Sequence, residues 1–459
     1  MSKDIHSYID SNKQRFQDEL FEFLRIPSVS ARTEHNKDTA RAAEWIAERT
    51  RELGMTVKVH STKGHPIVVA EYRNAGASAP TVLIYGHYDV QPVEPLELWK
   101  SPPFEPVIRD GKIFARGSVD DKGQLYLHVK AAEAHIKSAG KLPVNVVMVF
   151  EGEEEVGSEN LLPFINTHKK ELACDAVVIS DTAMLGADVP SLDASLRGMT
   201  YCEIHVDGPA QDLHSGSYGG AVVNPATALA RIIASFHDEH WHAQIEGFYD
   251  DVDHALDFRE QLKKLPWKDE EFRAETGAKA LDGEGGFSTL ERLLVRPTVE
   301  VNGMLSGYTG EGSKTVLPAH AMAKVSCRLV PNQDPDKITE LFRKHVERVA
   351  PEGVTVRVDF LHGGKPWRAN VKGPLYEAAA AALEQGFGKK PVYAGSGGSI
   401  PIVPEFESIL GAPALLMGFG LPGENAHAPN EWMGVVAFEK GVHACAQLLT
   451  ELASRLKKT

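Results

Sequence analysis

Val144-Asn145-Val146-Val147-Met148-Val149-Phe150-Glu151-Gly152-Glu153-Glu154-Glu155-Val156-Gly157-Ser158 joins the most strand-like run of the chain to its most acidic one. Residues 144–150 are β-branched and nearly free of polar groups, the composition of a strand buried on both faces. Three adjacent carboxylates then stand at the strand end. Like charges within about 4–6 Å raise one another's pKa. A folded chain therefore either fans such residues into water as a solvated acidic loop or gives them a multivalent cation.

Outward from this stretch the same texture repeats. Runs at 66–72, 81–85 and 176–180 read as buried strands. Helical spacing marks 4–24 (Ile5, Ile9, Phe16, Leu20, Phe23), 39–53 and 122–139. Helices alternating with such strands give a layered α/β catalytic domain around a central mixed sheet. From about Thr200 the runs 201–207 and 320–329 alternate polar with apolar residues, as half-exposed strands do, and helical stretches occupy 225–236 and 335–349. Near Val371 the first texture returns, with a helix at 375–387, an apolar run at 412–418 and a helix at 435–456. The expected organisation is a catalytic domain at 1–199 and 369–459, interrupted by an inserted α+β lid and dimerisation domain at 200–368. Residues 238–297 read as mostly helical and on the lid side.

The 459 residues carry 49 basic and 63 acidic side chains, a formal charge of −14, which argues against a nucleic-acid or anionic-membrane partner. Hydrophobic residues make up 42% and charged residues 24%, the balance of a soluble globular protein. No apolar run reaches bilayer length, and the polar first twenty residues direct no secretion, so the expected location is cytoplasmic. Cys174, Cys202, Cys327 and Cys445 form no C-x-x-C pair, which excludes a cysteine zinc knuckle.

Besides the glutamates, candidate chemistry stands at His87 with Asp89, at Asp120-Asp121, at Ser180-Asp181, and at Glu424–Asn430 with His427. Ligand sites in open α/β sheets collect at the carboxyl ends of strands, so these could converge. Each alone is equally a hydrogen-bonded structural residue. Together they are imidazole and carboxylate without thiolate, a donor set for zinc first and manganese second. Asp120, Asp181, one glutamate and a hydroxide balance two divalent ions. That leaves one glutamate as general base, and Asp89 to hold His87 in its metal-binding tautomer.

His87-Tyr88-Asp89-Val90-Gln91-Pro92, Gly117-Ser118-Val119-Asp120-Asp121-Lys122-Gly123, Glu151–Ser158, Ser180-Asp181, Asp212-Leu213-His214-Ser215-Gly216 and Ala426-His427 stand in the order of a known signature. In these motifs the chain resembles the M20 family of co-catalytic metallopeptidases, and most of all its cytosolic non-specific dipeptidase and carnosinase branch. The resemblance implies two divalent ions per subunit, His87 and Asp181 on one, Glu155 and His427 on the other, and Asp120 bridging. It further implies Glu154 as base, a cis Asp120-Asp121 peptide, Glu153 facing outward, and a homodimer formed by the lid in which His214 reaches the partner's active site. Arg328, on an otherwise apolar strand, is either half of a structural salt bridge or a reader of a substrate carboxylate. Ser399 in the glycine-rich run 395–401, and by resemblance Thr315, would assist it. The expected activity is hydrolysis of small amides by a hydroxide held between the ions, with a dipeptide bearing a free C-terminal carboxylate as substrate. An N-acyl-amino-acid amidohydrolase or an inactive scaffold is the alternative.

Overall fold

The computed structural model describes residues 2–253, 259–260, 262–263, 265 and 267–458. The chain divides into two compact units, Met1–Ala194 with Ala369–Ala394 and Ile402–Thr459, and Ser195–Arg368 with Gly395–Pro401. The glycine-rich segment 395–401, expected within the catalytic domain, groups with the second unit. Among the described residues no helix is long and apolar enough to cross a membrane.

In the first unit the strands are β1 (Thr56–His60), β2 (Ile67–Tyr72), β3 (Thr81–His87), β4 (Val107–Arg109), β5 (Lys112–Phe114), β6 (Asn145–Glu151), β7 (Ala176–Ile179) and β8 (Ser191–Leu196). The main sheet runs β1-β2-β6-β3-β7, and the chain later adds a strand of residues 414–416 beside β7 and then β8. Strands β6, β3, β7 and 414–416 are mutually parallel, whereas β1 and β2 join antiparallel. Every residue of β3, β6 and β7 is buried, the consequence of helices on both faces. The helices α1 (Ser2–Leu24), α2 (Asn36–Arg51) and α3 (Lys122–Ala139) flank this sheet. The helix α3 packs between α1 and the terminal helix Val435–Arg455. This burial on all sides accounts for its weak amphipathic pattern.

The second unit is an antiparallel sheet of β9 (Gly198–Asp207), β11 (Thr298–Ser306), β13 (His320–Leu329) and β14 (Thr355–Gly364), in the order β11-β13-β9-β14. A two-stranded ribbon pairs β10 (Leu213–His214) with β12 (Val316–Leu317). Alternate residues of β9 (Cys202, Ile204, Val206) and β13 (Ala321, Ala323, Val325) face a core with Ile232, Phe236 and Phe342. These come from or adjoin the helices Pro225–Ala234 and Pro335–Val349. Each of the two helices opens with a side-chain cap, Asn224 or Asp334, followed by proline. Within 238–297 the helices are Asp269–Thr276 and Thr289–Leu294, and residues 254–258, 261, 264 and 266 lie outside the described residues. The unit ends with β15 (Trp367–Arg368), paired with Ser195 and Leu196. The chain returns through β16 (Val392–Ser396) to β17 (Ala414–Leu416), the added strand noted above, and β18 (Trp432–Gly434), which pairs with β5.

Candidate metal centre

The parallel register puts the ends of three buried strands side by side. His87 ends β3 opposite Glu151 of β6, and Ile179 of β7 pairs with Tyr85 two residues earlier. Ser180, just after β7, donates its hydroxyl to the Met417 carbonyl at 2.7 Å, which fixes the turn that presents Asp181. His87 Nε2 lies 3.1 Å from Asp120 Oδ1 and 3.9 Å from Asp181 Oδ2. His427 Nε2 lies 2.8 Å from Asp120 Oδ2 and 3.2 Å from Glu155 Oε2. The five residues thus form two groups, His87–Asp120–Asp181 and Asp120–Glu155–His427, whose donor atoms lie within 4.8 Å of one another and which share Asp120.

Asp89 organises both sides of this arrangement. His87 Nδ1 is 3.1 Å from the Asp89 carbonyl and 3.3 Å from its carboxylate. A carbonyl only accepts, so Nδ1 carries a proton and Nε2 is the nitrogen that faces the Asp120 and Asp181 carboxylates. The Asp89 carboxylate also accepts the backbone N–H groups of Glu154 at 3.3 Å (Oδ1) and Glu155 at 3.1 Å (Oδ2). Gln91 donates to Glu155 Oε2 at 2.7 Å. The peptide between Asp120 and Asp121 is cis.

The electrostatics describe a site short of positive charge. Hydrogen bonds with Asp120 and Glu155 push His427 up to about 10. Burial raises Asp181 well above the ordinary carboxylate range, with Asp121 adding to it. Burial also pushes Glu154 up to about 7, opposed by His87 and reinforced by Glu155 and Asp120. Two imidazoles and three carboxylates at this spacing, with no thiolate, fit divalent zinc or manganese.

Two features differ from the sequence reading or were absent from it. Glu153 does not face outward but is buried, accepting the His65 N–H at 3.0 Å and the Asn160 amide at 2.7 Å. Its carboxylate occupies the space a side chain at Gly64 would need, so any larger residue there would displace Glu153. Glu431, fully buried, accepts from the Arg116 guanidinium at 2.7 Å and from the N–H groups of Gly117, Val119 and Asp120 at 2.9, 2.9 and 3.1 Å. It belongs to the loop that carries His427, so one carboxylate fixes the backbone around two of the five donors. A lone glutamate four residues after a histidine gives no sign of this.

His214, Thr315, Arg328 and Ser399 belong to the second unit. His214 is exposed, pairs with Val316, and accepts the Gly216 N–H at Nδ1 (3.0 Å), which leaves Nε2 as the proton-bearing donor. The Thr315 carbonyl accepts the Ser215 N–H at 3.1 Å, so Thr315 sits beside His214. Arg328 donates to Ser399 Oγ at 3.0 Å, and that hydroxyl donates to the Arg197 carbonyl at 2.6 Å. Arg197 escaped the sequence reading. Burial and the neighbouring Arg328 bring its guanidinium down to about 10. Both arginines line a cavity of about 420 Å³ with Ser326 and Glu300. The Glu300 carboxylate acts on Arg197 in the opposite sense to Arg328 and raises its pKa.

Residues 83–451 match the model of peptidase family M20/M25/M40. The Cys-Gly metallodipeptidase dug1 of Schizosaccharomyces pombe is 33% identical over 467 residues, covering 98% of each chain. The structure of the dipeptidase Dug1p from Saccharomyces cerevisiae superposes with a TM-score of 0.84 at 30% identity over 99% of both chains. That of the M20 metallo-carboxypeptidase Sso-CP2 from Sulfolobus solfataricus gives 0.83 at 34% identity, over 96% of this chain and 99% of the other. The chain described here belongs to peptidase family M20/M25/M40.

Proposed function

We infer that this protein is a dipeptidase that hydrolyses small peptides with a free C-terminal carboxylate and uses two divalent ions per subunit. The observation that carries this reading is the pair of donor groups sharing Asp120, with the Glu154 carboxyl beside them. His87 and Asp181 would hold one ion, Glu155 and His427 the other, and Asp120 both, with zinc the better match and manganese the second. The bound pair would supply a water acidic enough to ionise near neutral pH and a Lewis acid for the scissile carbonyl.

The remaining steps belong to side chains. Glu154 takes a proton at its carboxylate and returns it to the leaving amine nitrogen. Asp89 keeps the His87 ring and the Glu154–Glu155 backbone in register. His214, donating from Nε2, would stabilise the tetrahedral oxyanion, a contribution of about 3 kcal/mol for one well-placed donor. Its exposure suits action across a homodimer formed by the second unit. Arg328, aided by Ser399, Arg197 and Thr315, would take the substrate's C-terminal carboxylate. The acidic chain has no call for nucleic acid or membrane, and a cytoplasmic location accords with that.

A carboxylate clamp limits the substrate to one residue on the leaving side but not on the other. The similarity to Sso-CP2 therefore gives a second reading, a carboxypeptidase that removes one residue from longer peptides. A panel of dipeptides, tetrapeptides and N-acetyl amino acids separates the cases. Turnover of dipeptides above the others is expected. Preference for tetrapeptides would favour the carboxypeptidase, and turnover of only the acetylated set would reject both.

A further inference from the structure

A second histidine–carboxylate cluster lies in the first unit, apart from the five donors above. One ring nitrogen from each of His60 and His168 and a carboxylate oxygen of Glu171 lie within 4.8 Å of one another. His60 ends β1, the edge strand of the main sheet, and His168 directly follows the helix Leu161–Thr167.

The local chemistry prepares these groups to act as donors. His168 Nδ1 is 3.0 Å from the Phe164 carbonyl, which can only accept, so Nδ1 is protonated and Nε2 offers a lone pair. His60 Nε2 is buried without a hydrogen-bond partner, a costly condition for a polar nitrogen. The rings are held by packing. Their centroids are 5.0 Å apart at 70°, and Phe164 stacks on His168 and meets His60 edge-on. The Arg73 guanidinium donates to the Glu171 carbonyl at 2.7 Å, which anchors the third donor.

A surface aromatic stack with an incidental ion pair would account for the packing. It would not account for a buried, unpartnered nitrogen beside a second imidazole whose tautomer is fixed by a carbonyl. We propose that His60, His168 and Glu171 form a third metal site, for a borderline transition-metal dication of the zinc class, with water as its remaining ligand. Tetrahedral zinc sets its donors about 3.3 Å apart, so small side-chain rotations close the site. The segment that begins at Glu154 and Glu155 ends at His168 and Glu171. An ion here ties the far end of that segment to the edge strand. The site is a structural staple that moves no proton and touches no substrate.

Lys58 is the internal competitor, because its ammonium pairs with the Glu171 carboxylate. The test uses the full-length chain, stripped with a chelator, equilibrated with excess Zn²⁺, desalted and assayed for bound metal. Wild type is expected to retain one zinc per chain more than the His60→Ala/His168→Ala variant, whatever number the hydrolytic centre holds, so the result is independent of dipeptide turnover. Equal zinc in the two overturns the proposal. Lys58→Ala, which leaves all three donors in place, is expected to tighten zinc at this site by roughly twofold to fivefold in competition with a chromophoric chelator, the scale of a lost surface ion pair. Unchanged or weaker zinc binding by Lys58→Ala overturns it as well.

Discussion

The carboxylate of Glu431 accepts the backbone N–H of Asp120 at 3.1 Å across a sequence separation of 311 residues. The same carboxylate meets Arg116, Gly117 and Val119, so the loop that presents the shared donor is built on a residue from the His427 loop. Replacing Glu431 with Gln leaves the Arg116 guanidinium buried without its counter-charge. Breaking a buried pair in this way costs about 3–5 kcal/mol. Loss of a partner behind the ligands lowers metal affinity by about 10- to 100-fold. Denaturant unfolding and metal content of the same sample check both, and wild-type values for either would show that Glu431 positions nothing.

Much of the first unit was legible because its strands are buried on both faces and therefore read as uninterrupted apolar runs. The candidate donors that follow β3, β6 and β7 could be picked out for the same reason. Strand β1 has no such signature, since Thr56–His60 is an edge strand with a half-exposed face. Strand β11 is likewise an exposed edge, and the unit boundary falls inside β8, between Ala194 and Ser195, where no turn residue marks it. Glu153 was misjudged because adjacent carboxylates look alike in sequence. What buries one of them is a distant loop at Gly64–His65. Arg197 escaped notice because its significance lies in Arg328 and Ser399, brought to it by pairing between distant strands.

Arg328, which donates to Ser399 near the Arg197 guanidinium, is the proposed reader of the substrate's carboxylate. Arg328→Ala is expected to raise KM for dipeptides by roughly tenfold to a hundredfold, the range for a hydrogen bond to a charged group. The C-terminally amidated analogue, which lacks the charge, should change little. An equal loss for the acid and the amide would assign Arg328 a purely structural role.

His214→Ala should lower kcat while leaving metal content intact. Mixing it with Glu154→Gln under conditions of subunit exchange should recover about a quarter of the wild-type rate, because half the dimers of a random two-fold mixture carry one complete site. No recovery between freely exchanging subunits would place His214 in its own subunit's site.

Stability at acid pH should depend on a cluster distant from the hydrolytic chemistry. Lys130, buried in α3, pairs with Glu19 of α1 and with Glu133. Burial works against ionisation of Glu19, yet Lys130 outweighs it and the pKa is lowered. For Glu133, burial is outweighed by Arg15 and Lys130. A carboxyl with a lowered folded pKa contributes stability above its unfolded value of about 4.3, and that contribution disappears as pH falls below it. Lys130→Met should cost about 3 kcal/mol at pH 7 and flatten the decline between pH 5 and 3. Unfolding curves for both proteins at several pH values test this, and parallel declines would reject it.

Glu154 carries the central claim, because it is the proposed proton carrier and belongs to neither of the paired donor groups. The decisive measurement is dipeptide turnover by Glu154→Gln with bound metal counted in the same sample. Two ions per hydrolytic centre, as in wild type, with kcat lower by about 10²- to 10⁴-fold, is the expected result. Turnover near the wild-type rate, or loss of an ion together with the activity, would contradict it.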